Sequence, residues 1–277
     1  MNGAAQNSLA TTLSRPHQDD LGAARVTALG LLLSEWTKLR SVRSLVYTVL
    51  TAFVATTAMT AYLIIDGTKF SSGEAGDIPF AFTSVYPLGM IVLIIAGVLA
   101  ITSEYSSGSI GMSLIAVPRR TGMFMAKAAV LAAVTAVLAM VMSLLLYVIV
   151  QITGTVPSAD GMSLFDPRMF WGVLGATAAL PFGAVFGLAL GGLTRNAAAA
   201  ICLYFGVFQL GPQLLPSLVP DNVAGLADFM PLAAINVIRS GGLIADPYGS
   251  GTAAIVLLGW LVVLGGAAWL LLKRRDV

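Results

Sequence analysis

The feature of this sequence that most constrains its fold is a series of six apolar runs separated by short polar segments. Each run can cross about 30 Å of hydrocarbon as a helix, because an α-helix rises about 1.5 Å per residue. Only 10% of the residues are charged, whereas a soluble domain carries about 25%. The sequence therefore predicts an all-α integral membrane protein with six transmembrane helices. We place the spans at residues 45–65, 83–102, 126–152, 169–193, 197–219 and 253–272.

The polar segments between the runs differ in charge on the two sides of the predicted membrane. The loops of one side hold few basic residues and most of the acidic ones, among them Asp66, Asp160 and Asp228. The side rich in Lys and Arg is typically cytoplasmic, so we expect a plasma-membrane protein with both termini in the cytoplasm. The basic residues of that side are Lys38, Arg40, Arg43, Arg119, Arg120, Lys127, Arg195, Lys273, Arg274 and Arg275.

Residues 1–26 form a polar leader without apolar periodicity and without the apolar core of a signal peptide. We interpret it as a disordered cytoplasmic tail. Residues 27–277 then form one membrane domain.

Several kinds of chemistry are excluded by residues that the sequence lacks. Cys202 is the only cysteine and His17 the only histidine, and no Gly-Lys pair occurs. An intrachain disulfide, the usual zinc sites and a phosphate-binding P-loop are therefore excluded. The spans hold no charged residue away from their ends, and Lys127 lies at the inner terminus of the third, which disfavours an intramembrane enzyme and a proton-driven carrier. We expect no cofactor, no metal and no nucleic-acid partner for this chain.

Residues 27–44 precede the first span and have helical amphipathic spacing. Leu29, Leu32, Leu33 and Leu39 share one face with Trp36. This pattern is typical of a helix lying in the membrane interface, with Trp36 at headgroup depth. The alternative is a straight extension of the first span into water. The residues that we assign to this interfacial helix are Glu35, Trp36, Lys38 and Arg40, with Glu35 and Lys38 on the polar side.

The loop over residues 103–120 follows the second span and is the most specific local feature. Its sequence, SEYSSGSIGMSLIAVPRR, predicts a short helix capped by Ser106 or Ser107 and stopped by Pro118. An ordinary loop of the cytoplasmic side would explain Arg119 and Arg120 but not a half-apolar insert behind a glutamate. The candidate functional residues of this loop are Glu104, Tyr105, Ser106, Ile110, Met112, Leu114, Arg119 and Arg120.

Three further patterns concern the later spans. Residues 229–238 are apolar but too short to cross, which favours a re-entrant or interfacial segment over a plain outer amphipathic helix. Gly183, Gly187 and Gly191 recur every four residues and predict close helix packing, within the chain or in a dimer. The polar candidates for a solute path, with hydrogen bonding between helices as the alternative, are Gln209, Gln213 and Asn236.

Two of these motifs resemble a known family. The order of Glu104, small residues, Gly-Ser-Ile, an apolar quartet, Pro118-Arg119-Arg120 and Lys127 resembles a loop of ABC-2 type transporter permeases. The segment SEWTKLRSVRS, residues 34–44, resembles the start of actinobacterial members. With six spans, the resemblance covers residues 28–277.

The resemblance implies the membrane half of an ATP-binding-cassette transporter, in most cases an exporter. Two permease halves, identical or related, would pair with a dimer of cytoplasmic ATPase subunits that binds ATP and Mg²⁺. The loop 103–120 would be the coupling helix that docks on the ATPase, and residues 27–44 the connecting helix in contact with membrane lipid. The alternative is a membrane scaffold or sensor subunit that transports nothing.

Overall fold

The computed structural model of the protein describes residues 27–66, 86–108, 120–218, 220, 225–240 and 248–274. These residues form helices and no strand. Short 3₁₀ helices at Pro157–Ala159 and Gly225–Phe229, and a π-helix at Tyr204–Gln209, lie between the longer elements. The α-helices are α1 (Ala28–Ser41), α2 (Arg43–Asp66), α3 (Tyr86–Ser106), α4 (Arg120–Thr153), α5 (Pro167–Thr194), α6 (Ala197–Leu203), α7 (Gly211–Leu218), α8 (Pro231–Ser240) and α9 (Ser250–Arg274).

Six helical segments are long and apolar enough to cross a membrane, which confirms the predicted fold class. The second span is shifted, from the predicted 83–102 to Leu88–Ser106. The third begins earlier than predicted, because α4 begins at Arg120 and has 34 residues. A helix of that length extends roughly 50 Å and exceeds the hydrocarbon thickness. Its polar first turn escaped a prediction based on apolar runs. The spans are Leu45–Asp66, Leu88–Ser106, Thr121–Thr153, Met169–Thr194, Ala197–Leu215 and Ser250–Leu271.

The centre of the bundle is α5, which packs against α3, α4, α8 and α9. In its most apolar stretch 78% of the residues are buried, against 17% in each of the last two spans. The glycines explain this position, since a methyl group at Gly187 would overlap Ile94 O, and one at Gly191 would lie 2.8 Å from Ile101 Cγ2. Gly183 similarly faces Met90. The glycine row thus packs against α3 of the same chain.

The fifth span is interrupted just before its first proline. α7 itself runs through Pro212 and Pro216. The irregular turn is the π-helix, closed by a bond from Leu210 N to Phe205 O (2.9 Å). Pro212 has no N–H to donate to the carbonyl four residues earlier. A wider turn directly before the proline accommodates that missing bond.

The short apolar segment before the last span is a helix within the bundle. α8 packs between α5 and α9, and Ala234 and Ile235 are fully buried. Trp260 of α9 donates from Nε1 to Phe229 O (2.9 Å), and Tyr248 donates to Asp228 O. Neutral side chains of α9 and of the residues just before it thus attach the 3₁₀ helix that precedes α8, through main-chain carbonyls.

The loop between α4 and α5 is also held by side chains that donate hydrogen bonds to its main-chain carbonyls. Gln151 donates from Nε2 to Ala159 O (2.9 Å) and Met162 O (3.1 Å). Tyr147 donates to Met162 O as well (3.2 Å). We call this end of the bundle, with Asp66, Asp160, Asp166 and Asp228, the acidic end.

The helix before the first span is separate from it. Thr27 caps α1 by accepting from Gly30 N (3.1 Å), and the chain turns at Val42 (φ −83°, ψ 87°) before α2 begins. α1 packs against α4. A straight extension of the first span into water is therefore wrong. The tail predicted over residues 1–26 lies outside the described residues.

Candidate functional site

Four charged side chains meet where α1, α3 and α4 come together. Lys127 Nζ lies 2.6 Å from Glu35 Oε2 and 2.8 Å from Glu104 Oε1. Lys38 Nζ lies 2.7 Å from Glu35 Oε1 and 3.6 Å from Glu104 Oε1. Each lysine therefore contacts both carboxylates. We call Glu35, Lys38, Glu104 and Lys127 the ionic cluster.

The ionic cluster is buried and electrically balanced. The side chains of Glu35, Lys127 and Glu104 are 2%, 9% and 12% exposed, and Lys38 forms the rim at 38%. Burial alone would lower the pKa of Lys38, but the hydrogen bond with Glu35 and the charge of Glu104 outweigh it and raise the pKa above 10.5. Lys38 is therefore charged at neutral pH. Two cations then balance two carboxylates, the condition under which buried ions are tolerated.

Local sequence explains how α1 supplies half of the cluster. Glu35 and Lys38 are three residues apart, so they lie on the same face of the helix and bond to each other. That face is turned toward α4, and Gly122 leaves room for Leu31 beside it. Glu35 and Lys38 share the polar side of α1, and the Glu35 carboxylate lies inside the protein against Lys127.

The ionic cluster also closes the base of the loop 103–120. Glu104 lies in the last turn of α3, which ends at Ser106, and Gly108, two residues later, has a left-handed φ of 70°. Lys127 lies two turns into α4, and the two side chains bond across the intervening loop. Lys127 thus connects α4 both to α3, through Glu104, and to α1, through Glu35.

A second junction links Tyr105 to the later spans. Arg195 lies in the turn between α5 and α6, with its guanidinium 5.1 Å from the Tyr105 ring centre. Its Nη2 donates to Leu271 O of α9 (3.2 Å). Arg195 has a φ of 56°, which side-chain-bearing residues rarely adopt. Its contacts to α3 and α9 hold it in that conformation.

Most of the candidate residues of the loop 103–120 do not belong to the ionic cluster or to the contact between Tyr105 and Arg195. Ser106 is exposed and donates to Ser103 O within α3 (3.1 Å). Arg120 begins α4, and its side chain lies outside the described part of the structure. Residues 109–119 are also outside it, including Ile110, Met112, Leu114 and Arg119.

The polar candidates for a solute path are not equivalent. Gln209 accepts a hydrogen bond from Tyr204, five residues earlier in the same span (2.9 Å). Gln213 and Asn236 are exposed. The bend at Leu210 separates Gln209 from Gln213, so simple helical spacing does not place them on one face. A solute path through them stays a prediction.

Lys127 and Arg195 are the functional candidates that sequence reasoning missed. From the sequence, Arg195 serves only to orient the chain in the membrane, and Lys127 serves for orientation and as the end of the loop motif, with no role assigned to either. The available signal was the position of Lys127 inside an apolar run, because a charge there needs a partner. Arg195 carried no comparable signal, since its conformation and partners depend on the folded bundle.

Comparison with known proteins identifies a family. The model of a family described as ABC-2 family transporter protein matches residues 31–210. The match covers well over half of the chain and includes the ionic cluster and Arg195. A search of curated proteins found none that matches.

Proposed function

Because the chain belongs to the ABC-2 transporter family, we propose that it forms the membrane half of an ATP-driven exporter. It is a multi-pass permease subunit, and the energy comes from a separate dimer of cytoplasmic ATPase subunits that binds ATP and Mg²⁺. A second permease half, identical or related, completes the pathway. The full sequence supports an external source of energy, because it has no Gly-Lys pair for a P-loop.

The observation that carries the proposal is the ionic cluster at the base of the loop 103–120. The ATPase pushes this loop when it closes around ATP. Glu104 and Lys127 join the two helices that flank the loop, at 2.8 Å, and Glu35 adds α1. The three helices then tilt as a unit, and access switches between the two sides of the membrane.

The charge distribution supports the orientation that this mechanism needs. Lys38, Arg40, Lys127 and Arg195 belong to the end of the bundle that carries the loop, which we call the basic end. Basic residues favour the cytoplasmic side. The loop then faces the compartment that holds ATP, in the plasma membrane, with both chain termini on that side.

The contact between the loop and the ATPase must differ in strength between the two states of the ATPase, because a contact of equal strength in both states shifts no equilibrium. We expect the apolar loop residues Ile110 and Leu114 to make the contact that changes. Replacing both by serine weakens capture of the ATPase, whereas Ser106→Ala leaves it intact, since Ser106 bonds within its own helix.

The test is capture of the tagged full-length chain from its native membrane, followed by assays of the captured complex. We expect an ATPase subunit in the complex, and ATP-dependent movement of a solute in vesicles. Absence of any ATPase, or capture that ignores the loop variants, contradicts the proposal. ATP hydrolysis that no solute stimulates, without transport, favours the scaffold or sensor alternative.

A further inference from the structure

A groove of about 620 Å³ runs along the corner between α1 and α4. α1 contributes Leu32, Leu33 and Trp36, and α4 contributes Ala133 and Val137 among others. Leu33 is 56% exposed and Val137 63% exposed, so the groove opens away from the bundle. Because α4 crosses the membrane, the medium at Val137 is lipid hydrocarbon. The groove therefore faces lipid chains rather than water.

The shape of the groove fits an extended chain. Its α4 wall covers residues 129–138, roughly 14 Å along the helix axis. Ala129 and Ala133 are one turn apart and exposed, so their short side chains leave the depression that Val137 continues. Its volume is within the range of about 300–1,000 Å³ that small-molecule sites occupy.

A cation stands at the rim of the groove. The guanidinium of Arg40 lies 5.6 Å from the ring centre of Trp36, which lines the groove. Among the residues that the structure describes, no carboxylate pairs with Arg40. Lys38, two residues earlier, pairs with Glu35. Arg40 is thus the exposed cation of α1, and the planar guanidinium matches the oxygens of a phosphate.

We propose that this groove binds one anionic phospholipid, with an acyl chain against Ala133 and Val137 and the phosphate on Arg40. Trp residues favour the headgroup depth of a bilayer, which places Arg40 beside Trp36 at the level of the phosphates. Anionic headgroups are attracted to basic side chains at that level. The site requires only a membrane-embedded chain and does not rest on the proposed transport function.

The lipid site has a structural consequence for α1. Glu35 binds Lys127 on one face of this helix, and Trp36, the next residue, faces the groove. The helix is then held on α4 by an ion pair on one side and by a lipid on the other.

Photolabelling tests where the acyl chain lies. The full-length chain is reconstituted in phosphatidylcholine nanodiscs with a phosphatidylglycerol whose acyl chain carries a diazirine. We expect labelled peptides from residues 32–36 and 129–138. Ala133→Trp fills the groove and removes that labelling, whereas Val141→Trp keeps it. Val141 is also exposed, at 43%, but does not line the groove. Labels spread evenly over the lipid-facing helices overturn the proposal.

Charge variants test where the phosphate lies. One basic side chain near an anionic surface contributes about fivefold in affinity, so Arg40→Gln should lower phosphatidylglycerol labelling of the groove by about that factor. Arg43→Gln removes the same charge at the start of α2 and should leave labelling unchanged. Equal losses in both variants indicate general attraction and overturn the assignment to Arg40. This comparison still decides if Ala133→Trp fails to fold.

A second copy of the chain is the competing occupant of the groove. A single cysteine is introduced by Ala133→Cys in a Cys202→Ser background, and the chains are oxidised in the membrane. The lipid site predicts chains that remain uncrosslinked through this position. A disulfide-linked dimer overturns the proposal and assigns the groove to contact between copies.

Discussion

The two ends of the bundle are joined by different chemistry. At the basic end, Glu35, Glu104 and Lys127 come from three separate helices and meet as buried charges. At the acidic end, Gln151 and Trp260 donate to main-chain carbonyls of neighbouring segments. At the basic end, removal of one of these charges leaves a buried ion without its counterion. At the acidic end, removal of one side chain removes only neutral hydrogen bonds.

This difference indicates which end moves as a unit. A buried ion without its counterion costs several kcal/mol, so α1, α3 and α4 cannot separate at the basic end without a large penalty. A neutral hydrogen bond contributes about 1 kcal/mol. The acidic end can therefore rearrange at lower cost than the basic end.

The largest expected effect is that of Lys127→Met. This change leaves Glu35 and Glu104 facing each other with only Lys38 between them, and we expect a loss of about 3–5 kcal/mol in stability. Thermal unfolding of the purified chain in detergent measures the loss. A change as small as that of a single neutral bond would remove the contrast between the two ends.

A smaller effect is expected at the second junction of the basic end. Tyr105→Leu removes the ring beneath Arg195 and should cost about 1–2 kcal/mol. Tyr105→Phe keeps the ring face and serves as the matched control, with most of the stability retained. Equal losses for both variants in the same unfolding assay would show that the guanidinium does not use the ring.

Gln151→Leu probes the acidic end directly. It removes two hydrogen bonds to a partly exposed loop, and we expect a loss of about 1–2 kcal/mol. Proteolysis of the loop between α4 and α5 provides a local readout, which should increase. A loss that matches that of Lys127→Met would contradict the comparison.

The smallest effect is expected at the rim of the ionic cluster. Lys38 is 38% exposed, so water compensates for much of its charge, and Lys38→Met should cost about 0.5 kcal/mol. The raised pKa of Lys38 adds a pH test. Its stabilisation is fully present below pH 10.5 and is lost as the pH rises further. The wild type should lose stability there, and Lys38→Met should lose less.

The spans could be predicted from the sequence because apolar length alone determines whether a helix crosses a membrane. The glycine row was predicted for close packing by the same kind of local rule, but Ile94 as its neighbour was not. The ionic cluster could not be predicted as a unit. Spacing puts Glu35 and Lys38 on one face of α1, yet only the turn at Val42 and packing on α4 direct that face to Lys127.

Other features depend on the fold as a whole. The left-handed φ of Arg195 has no local signature, since glycine or asparagine would be the expected residue there. The π-helix before Pro212 is where the fifth span accommodates the hydrogen bond that proline cannot donate. The sequence alone did not determine on which side of the proline this irregular turn would lie. In each case tertiary contacts decide between locally equivalent choices.

The most direct test of the central claim uses the double variant Glu104→Gln, Lys127→Gln in the complex with its ATPase. Glu35 and Lys38 remain a balanced pair, so most of the stability lost in the single variants should return. The salt bridge between α3 and α4 is absent. We predict ATP hydrolysis near the wild-type rate with little solute moved per ATP. Wild-type transport per ATP in this folded variant would contradict the claim that the ionic cluster carries the coupling.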